Sequence, residues 1–297
     1  MKLPIFGIAG LRLSSASKYL CFAVCVALAT PTMGGYVSFS PHDLDHDHDH
    51  DHDFSLLTTA WNPGVGTARF GGNPAPGGAT WSVMGSGIVD ASGYDPHGGF
   101  ATTALSALYA GGVDEVTTIG IALDLWAAVS QFTNLGMVAD GGGGFGAAGA
   151  LGDIRVGAVY IDGGTGPNVL AHAYQPGTPV QFTAGNIAGD VHFDDSNSWS
   201  DGGAGGTIDF FTVALHELGH ALGLGHSADT TSVMYAYYGG PRRVLTADDI
   251  AGIQAIYGAP VVAGVPEPAS LAMWGLGALG MAFARRRRNR RNSTIAS

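Results

Sequence analysis

Apolar residues along the chain fall into short blocks separated by glycine, and the blocks differ in period. From Glu115 to about Phe132, Ile119, Leu123, Trp126 and Val129 recur at helical spacing, which predicts an amphipathic helix with these side chains in the core. The runs "TWSVMG" (80–85), "IRVGAVYID" (154–162) and "VLAHAY" (169–174) are short, apolar and bounded by glycine or polar clusters, so they predict strands. Ahead of them, after Phe54, "NPGVGTARFGGNPAPGGA" (62–79) predicts a long flexible connection. "GGGGFGAAGALG" (141–152) predicts a plain loop, because it lacks the glycine-aspartate register of calcium-binding repeats. No long-period repeat appears. One domain over residues 54–260, with a sheet and a few helices, accounts for the pattern.

The two ends read differently. Residues 1–29 have scattered positive charge, the apolar run "YLCFAVCVALA" (19–29) and a small-x-small ending, the signature of a cleaved export signal; the run is too short for a membrane span. Both cysteines, Cys21 and Cys25, lie inside it, so the exported protein is expected to have no disulfide, thiolate metal site or cysteine nucleophile. Residues 30–53 read as a linker or short prosegment containing "HDLDHDHDHDHD" (42–53), which has too little apolar surface to fold. A second reading of this tract is loose metal loading, since alternating imidazole and carboxylate gathers zinc-like ions. At the other end, 264–291 combine a Pro-Glu-Pro triplet, an apolar stretch from Ala269 to Ala284 and an arginine cluster, with 292–297 trailing. This tail resembles the PEP-CTERM sorting signal of Gram-negative bacteria. The resemblance implies a short transmembrane helix, exosortase-type machinery as partner, and delivery to the cell surface or extracellular matrix.

Charge narrows the partners. Apart from the termini, the 13 basic residues reduce to Arg69, Arg155, Arg242 and Arg243, against 24 acidic residues and a net charge of −11. Nucleic-acid binding is therefore excluded as an expectation, while divalent cations are favoured.

The chemistry concentrates in "ALHELGHALGLGH" (214–226). On a helix His216 and His220 share a face and can direct imidazole nitrogens at one ion. Glu217 lies beside that ion, where its carboxylate can hold a water and take its proton. Gly223 lets the chain leave the helix by a positive φ or tight turn and bring His226 back as a third ligand. Three neutral imidazoles leave a fourth position open on Zn²⁺, the arrangement of a catalytic zinc.

The full H-E-x-x-H-x-x-G-x-x-H pattern, followed by "SVMYAYY" with Met234, resembles the metzincin metallopeptidases. Within these, "VLAHAYQPG", "GDVHFDDSNSW", "HELGHALGLGHSAD" and "LTADDIAGIQAIYG" resemble the matrixins. The resemblance implies an α+β fold: a twisted, mostly parallel sheet with one antiparallel edge strand, a backing helix and an active-site helix. It also implies an exported zinc endopeptidase with Glu217 as general base. Leu170 and Ala171 would line a substrate cleft and Tyr238 would wall the next pocket, with Ala236 where the family usually has proline. Met234 and Gly223 would be structural, and Asp248 and Asp249 would tie the last helix to the methionine turn.

Further metal positions are implied less completely. Asp162, Gly163, Asp190 and Asp194 match calcium positions, although Asn197 replaces a glutamate. His172 and His192 match half of a second metal site whose other two positions fall on Arg155 and Gly157, so a second zinc is expected to be absent or rebuilt. His97 reads as a solvated residue. The competing reading is a non-catalytic, cation-binding matrix or surface protein on the same scaffold. Such a protein has no use for a base at Glu217.

Overall fold

The computed structural model describes residues 23–28, 53–89, 101–108, 114–144, 151–163, 169–176, 187–261, 281–282 and 284–286, with side chains for all but 23–28. In chain order the elements are β1 (Ala23–Leu28), β2 (Thr59–Trp61), β3 (Ala68–Phe70), β4 (Gly77–Val83), α1 (Glu115–Ala128), β5 (Phe132–Met137), β6 (Ile154–Val159) and β7 (Val169–Tyr174). There follow β8 (Val191–Asp194), β9 (Trp199–Ser200), β10 (Ile208–Asp209), α2 (Phe210–Ala221), β11 (Tyr237–Tyr238) and α3 (Ala247–Tyr257).

Strands β5, β4, β6 and β8 are parallel neighbours in that order, and β7 closes antiparallel on β8. This is the mostly parallel sheet with one antiparallel strand that the resemblance implies, although β7 is not at the edge. β4 and β6 are buried along nearly their whole length, as expected of strands covered on both faces. Beyond β7 the sheet continues: β1 runs antiparallel to β7, and β11 runs parallel to β1. The segment that reads as an export signal thus supplies a strand in the slot between β7 and β11.

Each long helix starts on a side-chain cap. Asp114 accepts from the Thr117 amide to open α1, Asp209 accepts from the Thr212 amide to open α2, and Thr246 with Asp249 forms a capping box on α3. α1 ends at Ala128, earlier than the periodicity predicts, because the Ser130 hydroxyl donates to the Trp126 carbonyl and accepts from the Phe132 amide, turning the chain into β5. Ile119, Leu123 and Trp126 are buried. Trp126 reaches α2 directly, its indole N–H donating to the Leu215 carbonyl at 3.0 Å, and truncating such a side chain costs about 3–5 kcal/mol.

The 62–79 stretch is not a loose connection. It contains β3, paired antiparallel with β2, and Arg69 fastens it by donating to the carbonyls of Trp61, Ala75 and Ile256. Glycine and proline density hid a strand held by one half-buried cation. At the C-terminus, Pro260–Ser297 form a separate unit in which the only described residues beyond Val261, 281–282 and 284–286, are helical. Among the described residues no helix is long and apolar enough to cross a membrane; of the tail stretch 269–284 expected to form one, only residues 281–282 and 284 are described. Residues 42–52 and His97 lie outside the described residues.

Candidate metal centre and substrate groove

α2 ends in a turn that follows from its sequence. The Gly223 amide donates to the His220 carbonyl and the Leu224 amide to the Gly219 carbonyl, the paired bonds of a Schellman cap with Gly223 at φ +107. A Cβ at Gly223 would also lie 2.5 Å from the Thr59 carbonyl oxygen. The reversal returns the chain along α2 and brings His226 to His216 and His220, with candidate ligand atoms all within 4.8 Å of one another. Among the described residues this is the one grouping of three or more such side chains.

Imidazole orientation is set by backbone carbonyls. His216 Nδ1 lies 2.7 Å from the Val233 carbonyl oxygen and His220 Nδ1 lies 2.7 Å from that of Leu224. With Nδ1–H donating in both, the two Nε2 atoms carry lone pairs, and they face each other at 2.9 Å. Two lone pairs at that separation repel unless a cation lies between them. Burial, then the neighbouring His226, lowers the His216 pKa to about 3, and burial likewise holds His220 well below its usual range. Both are neutral, ligand-ready imidazoles at physiological pH. Glu217, next to His216 on α2, is fully buried.

The floor of the site is the methionine turn. Met234 is buried, and its amide donates to Ser232 Oγ at 2.9 Å and Asp249 Oδ1 at 3.1 Å. Asp249 also accepts from the Val233 amide at 3.0 Å and from the Ser232 hydroxyl. Asp248 does not share this role, which corrects the expectation for the pair. Its Oδ1 accepts from the amides of Asp53 and Phe54 at 2.9 and 3.0 Å, and its Oδ2 from Ser227 Oγ at 2.6 Å. Consecutive helical residues point about 100° apart, so one aspartate reaches the turn and the other reaches the start of the domain and the loop after His226. Sequence reasoning missed that segment: Ser55 donates to the His226 carbonyl at 2.6 Å, and the Leu57 amide to that of Gly223 at 2.8 Å. No residue type marks these backbone partners in the sequence.

Leu170 and Ala171 lie buried on β7. β1 pairs with this strand through Val24↔Ala173, Cys25↔His172 and Val26↔Ala171, then shifts register across Leu170 to Ala27↔Val169. On its other side Ala27 and Leu28 pair with Tyr237 and Tyr238. The groove between β7 and β11 therefore accommodates an extended chain bonded on both sides. The Tyr238 hydroxyl accepts from the Asp209 amide at 2.9 Å.

The other expected metal positions separate. His172 Nε2 and His192 Nδ1 are 3.1 Å apart and buried, but Arg155 and Gly157 lie inside β6. Arg155 is buried and donates to both carboxylate oxygens of Asp140 at 2.9 and 3.0 Å and to the Gly143 carbonyl at 2.8 Å. A Cβ at Gly157 would lie 2.9 Å from Met84 Sδ. A fixed guanidinium among these groups does not suit a second cation. Asp190 lies 3.9 Å from both Arg155 and His192. Asp194, four residues on and about 13 Å along an extended strand, cannot share an ion with it. Asp194 instead accepts from the Ile161 and Ser196 amides, the Ser196 hydroxyl and the Asn197 side chain. Asp162 accepts from the Val169 amide at 2.7 Å, next to Gly163 at φ +71.

Comparison with known proteins agrees with this geometry. Residues 152–258 match the family model of the matrixins, and residues 264–288 match the PEP-CTERM protein-sorting motif. Human matrilysin is 49% identical over 94 residues, covering 31% of this chain and 32% of its own length. Karilysin of Tannerella forsythia is 46% identical over 100 residues, covering 34% and 20%. Human matrix metalloproteinase-27 is 46% identical over 114 residues, covering 37% and 19%. The chain thus spans about a third or less of the length of these relatives. β6, β7, β8, the three-histidine helix and turn, the methionine turn and α3 all fall within residues 152–258, the part of the chain that matches the matrixin family model.

Proposed function

We propose that residues 54–260 are an exported zinc-dependent endopeptidase that cuts extended protein or peptide substrates, with Glu217 as general base. The observation that carries this reading is the facing pair of lone-pair nitrogens on His216 and His220, 2.9 Å apart, with His226 beside them and a carboxylate next to them in sequence. The donor set is three neutral imidazoles, which fits Zn²⁺ with one position left open. When bound, zinc would supply Lewis acidity for the scissile carbonyl and lower the pKa of water towards about 7.

The chain's own residues do the rest. Val233 and Leu224 carbonyls hold the two imidazoles in the tautomer that binds metal. β7 and β11 take an extended substrate by strand addition in the slot that residues 23–28 fill here, antiparallel to β7. Glu217 takes a proton from the attacking water and returns it to the departing amine. Delivery follows from the ends: residues 1–29 direct export, and the PEP-CTERM motif directs sorting to the cell surface, with exosortase-type processing of the tail. Calcium at Asp162, Gly163 and Asp194 remains part of this reading as a lesser element.

The test is turnover of an extended fluorogenic peptide by the exported chain, with and without chelator. Glu217→Ala is expected to keep zinc and lose about 10²–10⁴-fold in kcat. Chelator-insensitive turnover, or full turnover by Glu217→Ala, would overturn the proposal. Absence of any turnover by the wild-type chain would favour the non-catalytic cation-binding reading.

A further inference from the structure

The segment after the methionine turn, "YAYYGGPRR" (235–243), borders the groove through β11, yet its own backbone gives it little stiffness. Gly239 and Gly240 follow directly on Tyr238, and Gly240 takes φ +113. The position of this wall is therefore set by what ties it down. On the near side the Tyr238 hydroxyl accepts from the Asp209 amide at 2.9 Å. On the far side the Arg242 amide donates to Thr212 Oγ1 at 2.8 Å, and its guanidinium donates to the Tyr237 carbonyl at 3.1 Å and the Thr230 carbonyl at 3.0 Å. Arg243 then closes on Asp209, with Nε donating to Oδ2 at 2.9 Å and Nη2 to Oδ1, and stacks over Phe211 at 5.4 Å.

Asp209 is the junction. Its carboxylate is fully buried and caps α2 through the Thr212 amide and hydroxyl, while also accepting from the Gly202 amide at 2.7 Å. Burial alone would raise this carboxyl, but bonds from Arg243, Thr212 and Gly202 outweigh it and hold the pKa below the usual value. One buried anion thus joins the first turn of the helix carrying His216, Glu217 and His220 to the β11 wall of the groove. Removing Arg243 leaves the cap on α2 intact through Thr212 and Gly202. What it removes is one of the ties on the wall, leaving those made by Tyr238 and Arg242.

We infer that Arg243 is a positioning residue for substrate selectivity: clamped on Asp209, it fixes Tyr237–Tyr238 relative to α2 and sets which side chains the β11 side of the groove accepts. The inference rests on the reading of the groove as a peptide-binding slot. It assigns Arg243 no contact with substrate.

The experiment measures dissociation constants for two extended peptides that differ by leucine against alanine at the residue facing β11. It uses the zinc-loaded full chain carrying Glu217→Ala, so that nothing is cut. Competition from residues 23–28 cancels in the ratio. Arg243→Ala is expected to shrink the leucine preference at least about fivefold, within the roughly 10–200-fold range available to apolar pockets, with zinc affinity unchanged. Arg243→Lys should recover part of it. Asp201→Asn, which removes only the exposed second partner of Arg243, should leave it intact. Should Arg243→Ala fail to fold, the lysine variant carries the same comparison. An unchanged ratio in folded Arg243 variants overturns the inference. A wild-type chain that binds both peptides yet never cuts them overturns the peptidase reading alone.

Discussion

A Cβ added at Gly219 would lie 2.4 Å from Met234 Sδ and 3.1 Å from Trp126, so the glycine inside the histidine motif is a packing requirement as well as a spacer. Gly219→Ala is expected to overpack this contact and destabilise the domain by about 1–3 kcal/mol, read as a lower urea midpoint at unchanged slope. Asp209 makes a second prediction at this scale. Its folded pKa is depressed, so the stability from its charge is fully present above the unfolded value of 3.8 and is lost as pH falls through the lower folded value. Wild type should therefore lose more stability than Asp209→Asn between about pH 6 and pH 3. Equal losses would mean that the Arg243 and Thr212 bonds do not favour the charged form.

At the scale of elements, the Schellman turn decides whether three histidines can meet. Gly223→Ala meets both a positive φ and the Thr59 carbonyl, and is expected to weaken zinc binding by displacing His226 while leaving most of α2 helical, a combination that metal titration and circular dichroism separate. This turn was legible in the sequence, because a glycine three residues after His220 has few other uses. α1, β6 and β7 were legible from period and apolar runs. β2, β3 and β5 were not: β2 and β3 span three residues each, and β5 carries Gly136 at positive φ, so neither alternation nor composition marks them. The run 19–29 posed a different difficulty. A short stretch of alanine, valine and leucine is both leader-like and strand-like, and only the unfilled partner positions on β7 and β11 determine that residues 23–28 pair there. Asp248 and Asp249 failed as a pair because adjacency in sequence conceals directions about 100° apart on a helix.

For the molecule as a whole, the four basic residues of the central chain are all engaged. Arg69 is tied to backbone carbonyls, Arg155 to Asp140, Arg242 to Tyr237 and Thr230, and Arg243 to Asp209 and Asp201. The net charge of −11 already counts them, so the field around the chain draws divalent cations generally. Retention is another matter, since it needs converging ligands. Among the described residues only His216, His220 and His226 bring three His, Cys, Asp or Glu side chains within reach of one ion, whereas Arg155 already brings a positive charge to the neighbourhood of Asp190 and His192. Dialysed full-length chain is accordingly expected to keep one zinc, with ions held by the 42–53 tract exchanging away. That zinc binds the folded form only and relieves the repulsion between two facing Nε2 atoms, so at about 100 times its dissociation constant it should raise stability by about 2.7 kcal/mol. Elemental analysis before and after chelation, with melting followed in both states, checks the two statements together. Two retained zincs would mean that His172 and His192 recruit ligands despite Arg155, and an unchanged melting temperature would mean that the imidazole cluster holds no metal.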